Sequence, residues 1–304
     1  MKVLVFEYVT GGGVGSIPMP SGLLEEAEQM QAALLEDLLE VPGISITALR
    51  DAQWPPPGGL ETAIRWRMVE KTDNLYAVWL EALGECDAVW PIAPESGGVL
   101  ECLSRDCEAA HKILLNSPST AVAIAASKRR TIERLHQAGV PVVPTRAFRG
   151  YRPVFPLVIK PDDGISCQGI RIIRSPEEWD AALFAINPLH YVVQPLLDGD
   201  SLSFSALFDR GEASLLSCNR QVVVHRAGGL QLDAVEVNAV PCTAEHQALV
   251  AAVARAMPEL RGYAGIDLLE TARGLKVLEI NPRLTTSASG LRAALNYNLS
   301  LIHI

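Results

Sequence analysis

The sequence predicts an α/β protein with an N-terminal doubly wound parallel sheet and an α+β second half built on an antiparallel sheet. In the first 112 residues or so, apolar strand-like runs alternate with helical stretches, which is typical of a parallel sheet covered by helices. From residue 191, strand-like runs follow one another closely and one helical stretch at 244–257 interrupts them. The length of 304 residues suffices for two domains or one large multi-lobed unit.

The N-terminal elements are predicted from hydrophobic periodicity. KVLVFEYV is predicted as a buried strand, and the following TGGGVGS as a loop whose glycines indicate flexibility more than substrate binding. The next stretch repeats apolar residues at helical spacing, with Ser21 as a plausible N-cap. Further strands are predicted at 44–50 and 87–94, and further helices at 60–83 and 96–112.

The middle of the chain predicts a hairpin with a long tip. KRRTIERLHQAG is helical from Lys128 and ends at Gly139. PLVIKP at 156–161 and IRIIR at 170–174 are strand-like, and the polar DDGISCQG at 162–169 separates them. We therefore expect two antiparallel strands joined by a glycine-bearing loop.

Composition excludes several classes of protein. The formal net charge of −9 and pI near 5.2 argue against a nucleic-acid partner, which needs a basic surface, but allow a small phosphate ligand in a local positive pocket. The six cysteines form no CxxC pair and the histidines no HExxH, so we expect no zinc site and free thiols suited to a reducing cytosol. No apolar run is long enough for a membrane span, and the first is short for a signal peptide, so we expect a cytoplasmic protein.

Two carboxylates and an amide near the C-terminal end are the strongest local signal. In GIDLLET…GLKVLEINPR, Asp267 and Glu279 lie on apolar strands joined by a turn, and Asn281 shares a strand face with Glu279. Such oxygen ligands suit Mg²⁺. Arg283 lies two residues further on and could clamp a phosphoryl group or an acyl phosphate. The alternative is a solvated hairpin with ordinary surface charges.

Two lysines and the hairpin tip form a second, weaker signal. Lys160 ends an apolar strand, so its stem is half-buried and its ammonium can face a cleft. Backbone N–H groups of the tip can bind phosphate oxygens, although the loop lacks the GxxxxGK[ST] pattern. Lys128 opens a helix, whose free N–H donors suit an anion. Taken singly, a structural hairpin tip and a surface lysine are the alternatives.

The order of these features resembles the ATP-grasp superfamily from about residue 115 to 295. The resemblance rests on AGVPVVPT, the lysine-ended strand, the glycine-rich hairpin, VVQPLLDGDSLSFSAL, GIDLLE and, most specifically, VLEINPR. It implies an ATP-grasp fold behind a pre-ATP-grasp domain, with an N-terminal domain at 1–114, a central lobe at 115–190 and a C-terminal lobe at 191–304. It also implies ATP and Mg²⁺ as ligands, with Mn²⁺ as an alternative ion.

The resemblance assigns roles to individual residues. It implies that Lys128 and Lys160 contact the ATP phosphates and adenine. It also implies that the loop containing Gly164, Ser166 and Gly169 closes over the phosphates. By the same resemblance, Gln194 and Leu196 recognise the adenine edge and Arg283 stabilises the phosphate. The implied metal ligands are Asp267, Glu279 and Asn281. The family usually has glutamate at the position of Gln194 and an acidic ribose ligand near 201, so the ribose contact is left open between Asp200 and Ser201.

The N-terminal segments FEYVTGGG and IAPESGGVLECL, with LSCNRQ later, resemble the tyramine–glutamate ligase-like branch of methanofuran-type cofactor synthesis. This implies amide formation through an acyl phosphate, with glutamate and an aromatic amine as substrates. Arg220 is the candidate fork for the substrate carboxylate, and a surface arginine is the alternative. Glu95 is the candidate for the amine's ammonium, and a structural role at a helix start is the alternative.

The remaining alternatives concern activity and assembly. A different ATP-grasp ligase or kinase, or a nucleotide-binding module without catalysis, stays open beside the carboxylate–amine ligase. Small-molecule substrates are the expected partners, with no nucleic acid and no membrane. A homodimer is one of the assemblies left open.

Overall fold

A computed structural model describes residues 1–15, 22–164, 169–226 and 229–300. Its strands form three sheets. The first sheet is parallel, with strand order β3-β2-β1-β4-β5. Its strands are β1 (Lys2–Glu7), β2 (Ser45–Asp51), β3 (Arg65–Val69), β4 (Ala88–Ile92) and β5 (Ile113–Leu114). The helices around it are α1 (Leu23–Leu39), α2 (Leu75–Glu85) and α3 (Val99–Ala109).

Alternation along β1 explains why helices cover both faces of this sheet. Val3 and Val5 belong to the hydrophobic cluster that contains the apolar side of α1. Leu4 and Phe6 belong to the cluster on the other face, together with residues of α2 and α3. Successive side chains of a strand point to opposite faces, so a continuous apolar strand must be buried on both sides. The predicted doubly wound domain is confirmed.

The second sheet is antiparallel, with strand order β12-β11-β10-β13-β14. Its strands are β10 (Asp200–Asp209), β11 (Glu212–Arg226), β12 (Gly229–Val240), β13 (Gly262–Thr271) and β14 (Gly274–Asn281). One face packs on helices α4 (Ser119–Ala125), α5 (Lys128–Gln137) and α7 (Ala244–Ala256), and α8 (Ala288–Leu295) contacts α1 and β12. Gly139, just after α5, has a left-handed φ of 78°, as its predicted role in ending that helix requires.

A smaller antiparallel sheet, with strand order β6-β9-β7-β8, completes the fold. Its strands are β6 (Arg146–Ala147), β7 (Leu157–Pro161), β8 (Arg171–Ile173) and β9 (Tyr191–Pro195), with helix α6 (Pro176–Ala185) packed on it. The predicted hairpin is present, because β7 and β8 pair antiparallel. Part of its tip, residues 165–168, lies outside the described residues.

The structure corrects the helix predicted at 60–83. Residues Arg65–Val69 instead form β3, which pairs with β2 at the sheet edge, and the helix begins only at Leu75. Asn74 fixes that start, because its side chain accepts a hydrogen bond from the Ala77 N–H. Ser21, the predicted cap of α1, lies outside the described residues. The residue before α1 is Gly22, which is left-handed and provides no side-chain cap.

The glycine stretch after β1 is packed more closely than a plain flexible loop. Gly11 N–H donates to the Glu7 carbonyl at 2.9 Å, and Gly13 N–H to the Tyr8 carbonyl at 2.7 Å. A Cβ at Gly13 would lie 2.4 Å from the Tyr8 ring, and one at Gly11 would lie 2.5 Å from the Phe6 ring. Glycine is therefore required at both positions by close approach to aromatic rings.

None of the helices in the described part of the chain combines the length and apolar character needed to cross a bilayer.

Candidate active site

A cavity of about 620 Å³ lies where the three sheets meet. Each sheet contributes to its wall, with Glu7 from β1, Lys160 from β7 and Asp267 from β13. Residues that are far apart in the sequence therefore share one crevice. This is the arrangement that the predicted site requires.

The carboxylates of the predicted metal site meet across adjacent strands. Asp267 on β13 pairs directly with Glu279 on β14, and Gly265 pairs with Asn281 in the same ladder. The Asn281 amide donates to Asp267 Oδ2 at 3.2 Å. Gln221 of β11 donates to Asp267 Oδ1 at 3.0 Å. Asp267 is thus held by two side-chain amides while Glu279 lies beside it.

The two lysines face the same carboxylate. Lys128 Nζ lies 3.0 Å from Glu279 Oε2, and Lys160 Nζ lies 3.9 Å from that oxygen. Both lysine side chains are buried, at 9% and 7% exposure. Lys128 also donates to the Gly164 carbonyl at 2.5 Å, which ties it to the start of the hairpin tip. The structure therefore places both predicted lysines across one crevice from the acidic pair.

Burial and neighbouring charges shift the pKa values of these groups in opposite directions. Burial raises the pKa of Asp267, and the negative charge of Glu279 raises it further. Burial also acts to raise the pKa of Glu279, but Lys128 and Lys160 together outweigh it and lower that pKa. Burial opposes the charge of Lys128, yet the attraction of Glu279 leaves its pKa raised. Glu279 is therefore the ionised carboxylate of the pair, paired with cations.

This pair of carboxylates fits a divalent cation. These two half-buried acidic groups repel each other, and the repulsion adds to burial in raising the pKa of Asp267. A cation between them would remove the repulsion and keep both ionised. Among the described residues no cluster of three or more His, Cys, Asp and Glu side chains could hold a metal unaided. Mg²⁺ suits such a site, because it takes its remaining ligands from water and phosphate.

Arg283 lines the cavity and is held by Glu95. Its Nε lies 3.0 Å from Glu95 Oε1 and donates to Oε2 at 3.1 Å. The side chains are 15% and 5% exposed, respectively. The carboxylate of Glu95 is therefore engaged by Arg283. Glu95 is also outside the cavity wall, so the geometry favours its pairing with Arg283 over the expected contact with the ammonium of the amine.

The N-terminus of α5 is capped from within the protein. The Asp162 carboxylate accepts hydrogen bonds from the Arg129 N–H at 2.8 Å and from the Ser127 hydroxyl at 2.6 Å. The Asp162 carbonyl accepts the Lys128 N–H at 3.0 Å. The sequence predicted that the helix start at Lys128 offers free N–H donors to an anion. In the structure these donors are already bound by Asp162. Lys128 contributes its ammonium instead.

Asp162→Ala is expected to lower the free energy of unfolding by roughly 1–2 kcal/mol, because it removes this cap and the tie between α5 and β7. The measurement is urea denaturation followed by circular dichroism. Asp180→Ala is the matched control, since Asp180 lies exposed on α6 and should change stability by less than about 0.5 kcal/mol. Equal stability of the two variants would contradict the capping role of Asp162.

The structure distributes the predicted nucleotide contacts unevenly. The cavity wall includes Gly164, Gln194, Leu196 and Ser201. Gln194 is buried, and its amide donates to the Thr145 hydroxyl at 2.8 Å. Gly169 packs against Pro161 and Tyr191 instead of lining the cavity, and Ser166 lies outside the described residues. Asp200 is exposed and outside the wall, which favours Ser201 of the two ribose candidates.

Arg220 does not fit the role predicted for it. Its guanidinium pairs with Glu236 at 3.2 Å, both side chains are more than half exposed, and Arg220 is outside the cavity wall. The next residue, Gln221, lines the cavity and reaches Asp267. Because neighbouring residues on a strand point to opposite faces, only one of the two can face the site. The alternation of side chains along β11 is the sequence signal that could have identified Gln221 as the residue that faces the cavity.

Comparison with known families agrees with this geometry. Residues 125–287, more than half of the chain, match the model described as ATP-grasp domain. Residues 44–122 match the model described as pre ATP-grasp 3 domain. The first match spans the lysines, the hairpin, the acidic pair and Arg283. The second spans most of the parallel sheet that precedes them.

Known relatives cover nearly the whole chain. A tyramine–L-glutamate ligase of Methanocaldococcus jannaschii is 26% identical over 297 residues, which are 95% of this chain and 84% of the relative. An ATP-grasp superfamily protein of Archaeoglobus fulgidus has a TM-score of 0.74 at 21% identity, covering 100% of this chain and 87% of its own. An L-amino acid ligase of Bacillus licheniformis has a TM-score of 0.69 at 18% identity, covering 98% and 71%. At these identities the two solved structures show the fold alone, and they confirm the predicted ATP-grasp fold. The match over more than half of the sequence shows that the chain belongs to the ATP-grasp family.

Proposed function

We propose that this protein is an ATP-dependent carboxylate–amine ligase, which joins glutamate to tyramine or a similar aromatic amine in the synthesis of a methanofuran-type cofactor. The observation that carries the proposal is the single crevice in which Lys128 and Lys160 face Asp267 and Glu279. The tyramine–L-glutamate ligase that covers 95% of the chain supports the choice of substrates.

Each group of the crevice has a place in this reaction. ATP is a substrate and supplies the phosphoryl group that activates the carboxylate. Lys128 and Lys160 would offset the triphosphate charge, and Asp267, Glu279 and Asn281 would hold Mg²⁺, which supplies further positive charge to the phosphates when bound. Arg283, oriented by Glu95, stabilises negative charge on the acyl phosphate and on the tetrahedral intermediate that follows attack by the amine. Catalysis then depends on positioning, and no side chain has to form a covalent intermediate.

The test is substrate-dependent release of ADP. Purified protein with Mg²⁺ and ATP is given glutamate, tyramine, both or neither, and the amide product is identified by mass spectrometry. We expect ADP and amide in equal amounts, and only when both substrates are present. ADP release at the same rate without any amine would contradict the ligase and favour a kinase. Nucleotide binding without turnover of any carboxylate and amine would favour a non-catalytic module.

A further inference from the structure

The part of the cavity wall formed by helix α1, Val9 and residues 285–287 is called the chamber here. Helix α1 contributes Leu23, Glu26, Ala27 and Met30 to the cavity wall. These positions follow the i, i+3, i+4, i+7 spacing of one helix face. The loop after β14 contributes residues 285–287 to the same wall, and the loop after β1 contributes Val9. The face of α1 in this chamber is apolar except for one carboxylate.

Glu26 has no ion-pair partner among the described residues. No lysine, arginine or histidine in that part of the chain lies within 4.0 Å of its carboxylate. The Thr286 hydroxyl and the charge of Arg283 both act to lower the pKa of Glu26. Burial nevertheless raises the pKa of Glu26, and these two attractions only reduce the effect. Arg283, the cation whose charge acts on Glu26, is already engaged by Glu95.

Glu7 is another carboxylate of the cavity wall, and it is already engaged within the protein. It is 2% exposed, and its Oε2 accepts the Thr10 N–H at 2.6 Å. This hydrogen bond closes the turn after β1. Glu26 has greater access to the cavity, because its helix face lines the wall and its side chain is half-buried. A cationic ligand group would therefore meet Glu26 before Glu7.

We infer that Glu26 binds the ammonium group of the amine substrate, whose apolar body packs along Leu23, Ala27 and Met30. A carboxylate at the edge of an apolar wall recognises a primary amine on a hydrophobic skeleton and rejects a neutral molecule of the same shape. Glu26 and Arg283 line the same cavity, so in the proposed reaction the amine and the activated carboxylate would share one site. This inference rests on the proposed function and adds its amine-specificity residue.

The test compares two ligands of similar shape, of which only one has an ammonium group. Binding of tyramine and of 4-ethylphenol to the wild-type protein with ADP and Mg²⁺ is measured by calorimetry. We expect tyramine to bind at least about tenfold more tightly, because a hydrogen bond to a charged group is worth that much in a buried site. In Glu26→Gln, tyramine should lose about tenfold or more, while 4-ethylphenol should stay within about twofold. Glu25→Gln, one residue earlier and exposed, is the matched control.

Steady-state kinetics separates a binding role from a structural one. Glu26→Gln should raise KM for tyramine by about tenfold while KM for ATP stays unchanged. Equal affinity of the wild-type protein for tyramine and 4-ethylphenol, or equal loss for both ligands in Glu26→Gln, would overturn the assignment. The ligase proposal has a different point of failure, namely ADP release that does not depend on carboxylate and amine. The two results are therefore distinguishable.

Discussion

Glu279→Gln is expected to reduce turnover by at least about 10³-fold while leaving the fold intact. Both Lys128 and Lys160 approach the Glu279 carboxylate, which lies directly opposite Asp267. An amide keeps the shape but removes the proposed metal ligand and the charge that pairs with the two ammonium groups. A bound metal ion contributes several kcal/mol of charge stabilisation in the transition state, and each 1.36 kcal/mol is about a tenfold change in rate.

The stability of Glu279→Gln should change much less than its activity. The substitution takes the counter-charge from Lys128, but it also removes the repulsion that raises the pKa of Asp267. These two effects oppose each other. We therefore expect a loss smaller than the roughly 3–5 kcal/mol that follows removal of one partner from an isolated buried pair.

The measurements are the rate of ADP release across a Mg²⁺ titration and thermal unfolding of the same samples. Glu270→Gln is the matched control, because Glu270 lies exposed on the neighbouring strand β13 and outside the cavity wall. It should keep wild-type turnover. Wild-type activity in Glu279→Gln would refute the metal assignment, and an unfolded variant would call for the same comparison with Asp267→Asn.

The centre of the site could be predicted from the sequence because it depends on local strand geometry. Asp267, Glu279 and Asn281 lie on two strands joined by a short turn, so spacing and alternation alone bring them to one face. Lys160 follows similarly from its place at the end of an apolar strand. The ATP-grasp resemblance then supplied the distant partner, Lys128, which no local pattern connects with Glu279.

The sequence did not predict contacts between segments that are far apart along the chain. Glu95 and Arg283 are 188 residues apart, and nothing in either segment indicates that they pair. The strand β12 (Gly229–Val240) was not predicted, because it is an edge strand whose many exposed residues conceal its apolar alternation. The chamber face of α1 was predicted only as a helix, since periodicity shows that one face is apolar but not which cavity it lines.

Arg283→Ala is expected to lose both activity and stability, for two separable reasons. Turnover should fall by about 10²–10³-fold, because a donor to the developing negative charge is removed. Glu95 would then remain as a carboxylate only 5% exposed without its partner. An uncompensated buried charge of this kind costs roughly 3–5 kcal/mol in the free energy of unfolding.

The double variant Arg283→Ala/Glu95→Gln distinguishes the two effects. Removing the charge of Glu95 should restore most of the lost stability, measured by urea denaturation, while turnover stays low because the guanidinium is still missing. Arg65→Ala is the surface control, since Arg65 and its partner Glu85 are 74% and 53% exposed and exposed ion pairs contribute about 0–1 kcal/mol. Recovery of turnover together with stability would show that Arg283 serves mainly to neutralise Glu95, and would remove it from the chemistry of the site.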